Sequence, residues 1–110
     1  MKELQPRKVL IVEDSDNWLR LLPALFSNEG IEALAVDSLE AAREALKTGQ
    51  FTEVVTDSLE GDWLDVVESA ATLPVKLLTG NGSLERAATD RGVVFLDKAT
   101  FDIETLISES

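Results

Sequence analysis

The sequence predicts an α/β domain: a doubly wound, five-stranded parallel sheet with a helix after each strand, (βα)5. Two observations point there. Strand-length apolar runs alternate with helix-length segments five times along the chain, and the connections between them are short. The first run, Val9 to Val12, is also continuously apolar, as in a strand covered on both faces.

The elements follow in order. Val9 to Val12 reads as the first strand. Asp16 to Glu29 is Leu-rich and helix-like, closed by the helix-stop residue Gly30. Pro23 falls inside that helix and should kink it, at a cost of roughly 3 kcal/mol. Ala33 to Val36 is the second strand. Asp37 or Ser38 then caps a helix whose apolar face is Leu39, Ala42 and Leu46. Glu53 to Thr56 is the third strand, and Trp63, Val67, Ala70 and Ala71 mark the third helix. Val75 to Leu78 is the fourth strand, followed by a short helix capped by Ser83 and stopped by Gly92. Val93 to Leu96 is the fifth strand. A last helix, capped by Thr100, faces inward through Ile103, Leu106 and Ile107. The expected organisation is one domain over residues 1–110, with its core at about 8–108, without linker or repeat.

Composition narrows the chemistry. Asp plus Glu number 21 against 10 Lys plus Arg, a net charge of −11, which disfavours nucleic acid and anionic membrane as partners. With no cysteine and no histidine, disulfides, thiolate metal sites, histidine general bases and most zinc sites are excluded. A metal would be held by oxygen, which points to Mg²⁺ or Ca²⁺. The N-terminus lacks a signal-peptide apolar region, and no apolar run is long enough to span a bilayer. A cytoplasmic location is the expectation.

Ligands of a doubly wound sheet bind at the carboxyl ends of its strands. There stand Glu13 and Asp14 after strand 1, Asp57 after strand 3, Thr79 after strand 4, and Asp97 and Lys98 after strand 5. Each alone is ordinary: an aspartate at a strand end commonly starts a turn, and a threonine follows β-propensity. Together they form a charge-balanced set at one edge. Three carboxylates repel, and a divalent cation with the Lys98 ammonium offsets them.

These residues also carry a resemblance. VLIVED (9–14), VVTD (54–57), KLLTG (76–80) and GVVFLDK (92–98) together resemble the receiver domain (CheY-like) of two-component response regulators, over about Lys8 to Ser108. The resemblance implies strand order 2-1-3-4-5. It implies that Asp57 is the phospho-acceptor, and that Glu13, Asp14, Asp57 and the backbone carbonyl of Leu59 hold Mg²⁺. Thr79 and Lys98 would bind the phosphoryl group. Thr79 and Phe95 would form the switch, with helix 4, strand 5 and helix 5 as the switching face. The donor would be a histidine kinase or phosphotransfer protein, the output a protein target or attached domain, and the chemistry self-phosphorylation and self-dephosphorylation rather than turnover as an enzyme. Trp18, one turn after Asp14, divides evenly between core packing and partner docking.

An aspartate nucleophile needs no general base, which suits a chain without histidine. The other readings fit less well. An interaction module that takes no phosphate leaves the acid, Thr and Lys set without a purpose. An aspartate phosphohydrolase wants a second acid where Leu59 stands. A flavin protein wants a Gly/Ser/Thr-rich loop where Glu13 and Asp14 stand.

Four features depart from the family pattern. The loop DSLEGDW (57–63) has Gly61 but no proline, and Trp63 near the usual glycine. The interval from Asp57 to Thr79 is short. Gly80 follows Thr79 where Ala is commoner. Lys98-Ala99 replaces a Lys-Pro pair, and a cis bond there would cost roughly 3 kcal/mol, so a trans peptide is expected.

Overall fold

The structure, a computed structural model, describes residues 6–108. Five parallel strands, β1 (Lys8–Val12), β2 (Glu32–Val36), β3 (Glu53–Thr56), β4 (Val75–Thr79) and β5 (Val94–Asp97), lie in the order β2-β1-β3-β4-β5. The helices are α1 (Asp16–Ser27), α2 (Leu39–Leu46), α3 (Trp63–Ala70), α4 (Glu85–Asp90) and α5 (Ile103–Ile107). This is the expected doubly wound sheet, in the expected order.

Alternation along the central strands builds two apolar layers. Val9 and Ile11 of β1 pack with Leu22 and Phe26 of α1 and Leu106 of α5. Leu10 and Val12 face the other way, onto Ala42 of α2, Trp63 and Val66 of α3, and Ala88 of α4. Both faces of β1 are therefore covered, which is why its sequence is continuously apolar.

Several expected boundaries move. α1 ends at Ser27 rather than Glu29, because the chain turns through Gly30 at φ +75° and Ile31 N–H returns to the Phe26 carbonyl. The helix runs unbroken through Pro23. Ser38 caps α2 by accepting from Ala41 N–H at 3.1 Å. The helical turn after β4 is capped by Asn81, not Ser83: the Asn81 Oδ1 accepts from Ser83 N–H at 3.1 Å. α5 is capped by Asp102, not Thr100, through Glu104 N–H at 3.2 Å. In each case a better-placed carbonyl or carboxylate oxygen takes the orphan amide. Starting the helix later turns Ile103 outward, 46% exposed, and leaves Leu106 as the buried residue of α5. β5 shifts by one residue, so Val93 precedes it and Asp97 closes it.

One buried charge is not foreshadowed by the sequence pattern. Lys76, in the middle of β4, is buried, and its ammonium donates to the carbonyls of Thr105, Leu106 and Ser108 at the end of α5. Burial pushes this ammonium below its ordinary pKa, an effect opposed by the Glu53 carboxylate. Arg7 completes the same end of the molecule: it grips Glu53 through two nitrogens, at 2.9 and 2.7 Å, and donates to the Ile107 carbonyl at 2.6 Å. The orphan carbonyls of a short helix are thus satisfied by two cations, Lys76 in β4 and Arg7 just before β1.

Candidate functional site: an acidic pocket at the carboxyl edge of the sheet

The strand ladder sets each site residue. Glu13 N–H donates to the Val36 carbonyl at 3.0 Å, Asp57 N–H to the Val12 carbonyl at 2.8 Å, and Lys98 N–H to the Thr79 carbonyl at 3.0 Å. Glu13, Asp57 and Lys98 therefore leave the sheet at one edge, each one residue past the end of its strand. Carboxylate oxygens of Glu13, Asp14 and Asp57 lie within 4.8 Å of one another. Lys98 spans two of them, with Nζ 2.8 Å from Glu13 Oε2 and 3.0 Å from Asp57 Oδ1.

The three acids differ in setting. Asp14 is exposed, Asp57 half-buried, and Glu13 1% exposed. Glu13 Oε1 accepts from Ser15 N–H at 3.1 Å. Its Oε2 has the Lys98 ammonium at ion-pair distance but off the angle of a hydrogen bond, and is otherwise a buried oxygen without a donor. Burial pushes the Glu13 carboxyl above its ordinary pKa; Lys98 opposes that and the Asp57 charge adds to it. Burial also works against the Lys98 charge, but the two carboxylates outweigh it and hold the ammonium above its ordinary value.

Charge and ligand chemistry converge here. Three carboxylates face one ammonium, and the buried Glu13 Oε2 has that ion pair in place of a well-formed hydrogen bond. The donors are oxygen throughout, the set a small hard cation takes with water completing its shell. These residues fit Mg²⁺.

The loop after Asp57 is strained. Leu59 and Glu60 adopt φ +50° and +53°, followed by Gly61 at +103°. Two non-glycine residues in this region cost roughly 1–2 kcal/mol each. What holds them is specific: Leu59 N–H donates to Asp57 Oδ2 at 3.2 Å, the Leu59 side chain is buried, and Gly61 and Trp63 N–H both return to the Ser58 carbonyl. The Leu59 carbonyl accepts from Asp62 N–H at 3.1 Å. Trp63 is a core residue at 2% exposure.

Thr79 and Phe95 complete the set. Thr79 is buried at the end of β4, and its Oγ1 accepts from Asn81 N–H at 3.2 Å. Register pairs Leu77 with Phe95 and Thr79 with Asp97, so Thr79 and Phe95 share a sheet face. Phe95 is half-buried against the α2–α4 layer. Trp18 is neither deep core nor an exposed anchor. Half-buried on α1, it lies with its ring 6.0 Å from Phe101, and the Lys98 ammonium sits 4.9 Å from the indole centroid. That contact joins residues far apart in sequence and left no local signal.

No protein-family model matches the chain. No curated protein matches it either. Solved structures do. A response regulator receiver protein from Pseudomonas putida superimposes with a TM-score of 0.82 at 25% identity, covering 96% of this chain and 95% of that one. A receiver protein from Sinorhizobium medicae gives 0.78 at 27% identity, over 96% and 91%. The NtrC4 receiver domain, in its beryllofluoride-activated dimer, gives 0.76 at 25% identity, over 91% and 89%. The chain has the fold of a response-regulator receiver domain.

The Lys98–Ala99 peptide is trans, as expected. The alanine also supplies an N–H that a proline would lack, and Asp97 Oδ1 accepts it at 2.8 Å. Among the described residues, no helix is long and apolar enough to cross a membrane.

Proposed function

We propose that this domain is a phosphorylatable receiver: Asp57 takes a phosphoryl group from a phosphohistidine of a histidine kinase or phosphotransfer protein, with Mg²⁺ bound, and the change is passed to a protein target or an attached output domain. The observation that supports it most is the setting of Asp57. One oxygen is paired with Lys98 and the other with Leu59 N–H, beside two further acids.

An Asp57 carboxylate oxygen would attack phosphorus. The O–P bond forms as the donor's N–P bond breaks, and the electron pair stays on the imidazole nitrogen. Glu13, Asp14 and Asp57 would hold Mg²⁺, with the Leu59 carbonyl as a further ligand beside its bond from Asp62 N–H. The cation's chemical contribution is neutralisation of phosphoryl charge. Lys98, already against Asp57, can follow a phosphoryl oxygen without leaving Glu13.

The acyl phosphate adds about one negative charge and three acceptor oxygens. The Thr79 hydroxyl, engaged as acceptor by Asn81 N–H, retains its proton to donate to such an oxygen. Its movement along the face it shares with Phe95 would carry the signal to α4, β5 and α5. The domain's work on its own acyl phosphate is self-phosphorylation and self-dephosphorylation rather than enzymatic turnover, in the cytoplasm.

The test is intact mass after incubation with acetyl phosphate and Mg²⁺. The wild type gains a phosphoryl group and Asp57→Asn does not. Absence of that gain, together with no spectral response to beryllofluoride, would favour an interaction module that works without phosphate.

A further inference from the structure

We propose that Trp18 is the positioning residue for Lys98: the indole face holds the ammonium where it bridges Glu13 and Asp57. The lysine stem is flexible, and an ammonium is a point charge with no geometric preference of its own. Two carboxylates alone would leave it free to swing between Glu13, Asp57 and water. The third contact removes that freedom. Lys98 Nζ sits 4.9 Å from the indole centroid, within the range of cation–π attraction. The indole is fixed in turn by α1 and by the tilted ring of Phe101, 6.0 Å away at 54°. The Lys98 side chain is left only 17% exposed. Trp18 therefore links α1 and Phe101, before α5, to the acceptor through the Lys98 side chain.

The inference rests on the receiver reading for its effect on rate, and on geometry alone for its spectroscopic signature. The experiment compares the wild type, Trp18→Phe and Trp18→Leu in two measurements. NMR of the Lys98 ε-methylene should find its protons shifted upfield by the indole in the wild type, less so in Trp18→Phe, and unshifted in Trp18→Leu. Acceptance of a phosphoryl group from acetyl phosphate with Mg²⁺, followed by intact mass, should slow about five- to tenfold in Trp18→Leu and recover most of that in Trp18→Phe. Circular dichroism confirms that each variant is folded. An unshifted ε-methylene in the wild type overturns the proposal, as does a Trp18→Leu chain that accepts phosphate at the wild-type rate. A wild type that takes no phosphoryl group overturns the receiver reading instead, and the ε-methylene shift then decides the placement of Lys98 by itself.

Discussion

Leu59 N–H donates to Asp57 Oδ2 at 3.2 Å from a backbone held at φ +50°. The acceptor is thus oriented by a loop that is itself strained, and Glu60 at φ +53° shares the strain with no side-chain burial to offset it.

Glycine suits that position. Glu60→Gly should raise stability by about 1 kcal/mol, since relief of the left-handed conformation exceeds the entropy glycine adds to the unfolded chain. Urea titration measures it. A destabilised variant would mean that the Glu60 side chain holds the loop by a contact the geometry does not reveal.

Glu13 sets a pH dependence. Burial raises its folded pKa above the ordinary 4.5. Between 4.5 and the folded value, the folded state keeps a proton that the unfolded chain has lost, so stability falls as pH rises through that window. At neutral pH the ionised Glu13 is a cost. Glu13→Gln keeps an acceptor for Ser15 N–H and leaves Lys98 paired with Asp57, so it should be more stable than wild type at pH 7. The difference should shrink as pH falls toward 4.5, where wild-type Glu13 is itself protonated. Equal gains at both pH values would contradict the assignment.

Lys76 carries a prediction of opposite sign. Lys76→Met removes a buried charge but takes the ammonium from the carbonyls of Leu106 and Ser108, while the Thr105 carbonyl keeps the Ser108 hydroxyl as its donor. The loss should be roughly 1–3 kcal/mol, with amide exchange in α5 accelerating first. A variant as stable as wild type would show that the cost of burying the ammonium equals what its bonds return.

The sheet and its acidic edge were legible for one physical reason. A doubly covered parallel strand is mostly apolar, so the first carboxylate after the run tends to stand at the ligand-binding edge. Glu13 after Val9 to Val12 follows that pattern, and so does Asp57, the first carboxylate after Val54, Val55 and the buried Thr56. Helix starts were less legible because Ser, Thr, Asn and Asp compete for the same cap: Asn81 displaced Ser83, and Asp102 displaced Thr100. Lys76 was hidden because its partners are backbone carbonyls of a distant helix, which no side-chain pattern announces. In sequence Trp18 fits core packing and docking equally, while its contact with Lys98 depends on how α1 and the end of β5 come together, a tertiary property. The strain at Leu59 and Glu60 had only an indirect mark, the missing proline in DSLEGDW.

Phosphoryl acceptance at Asp57 is the central claim, and intact mass with acetyl phosphate tests it most directly. With Mg²⁺ the wild type should gain one phosphoryl group. The gain should disappear in Asp57→Asn, and in wild type when the metal is chelated. A phosphoryl group that persists in Asp57→Asn, or a wild type that takes none with Mg²⁺ present, would contradict the account.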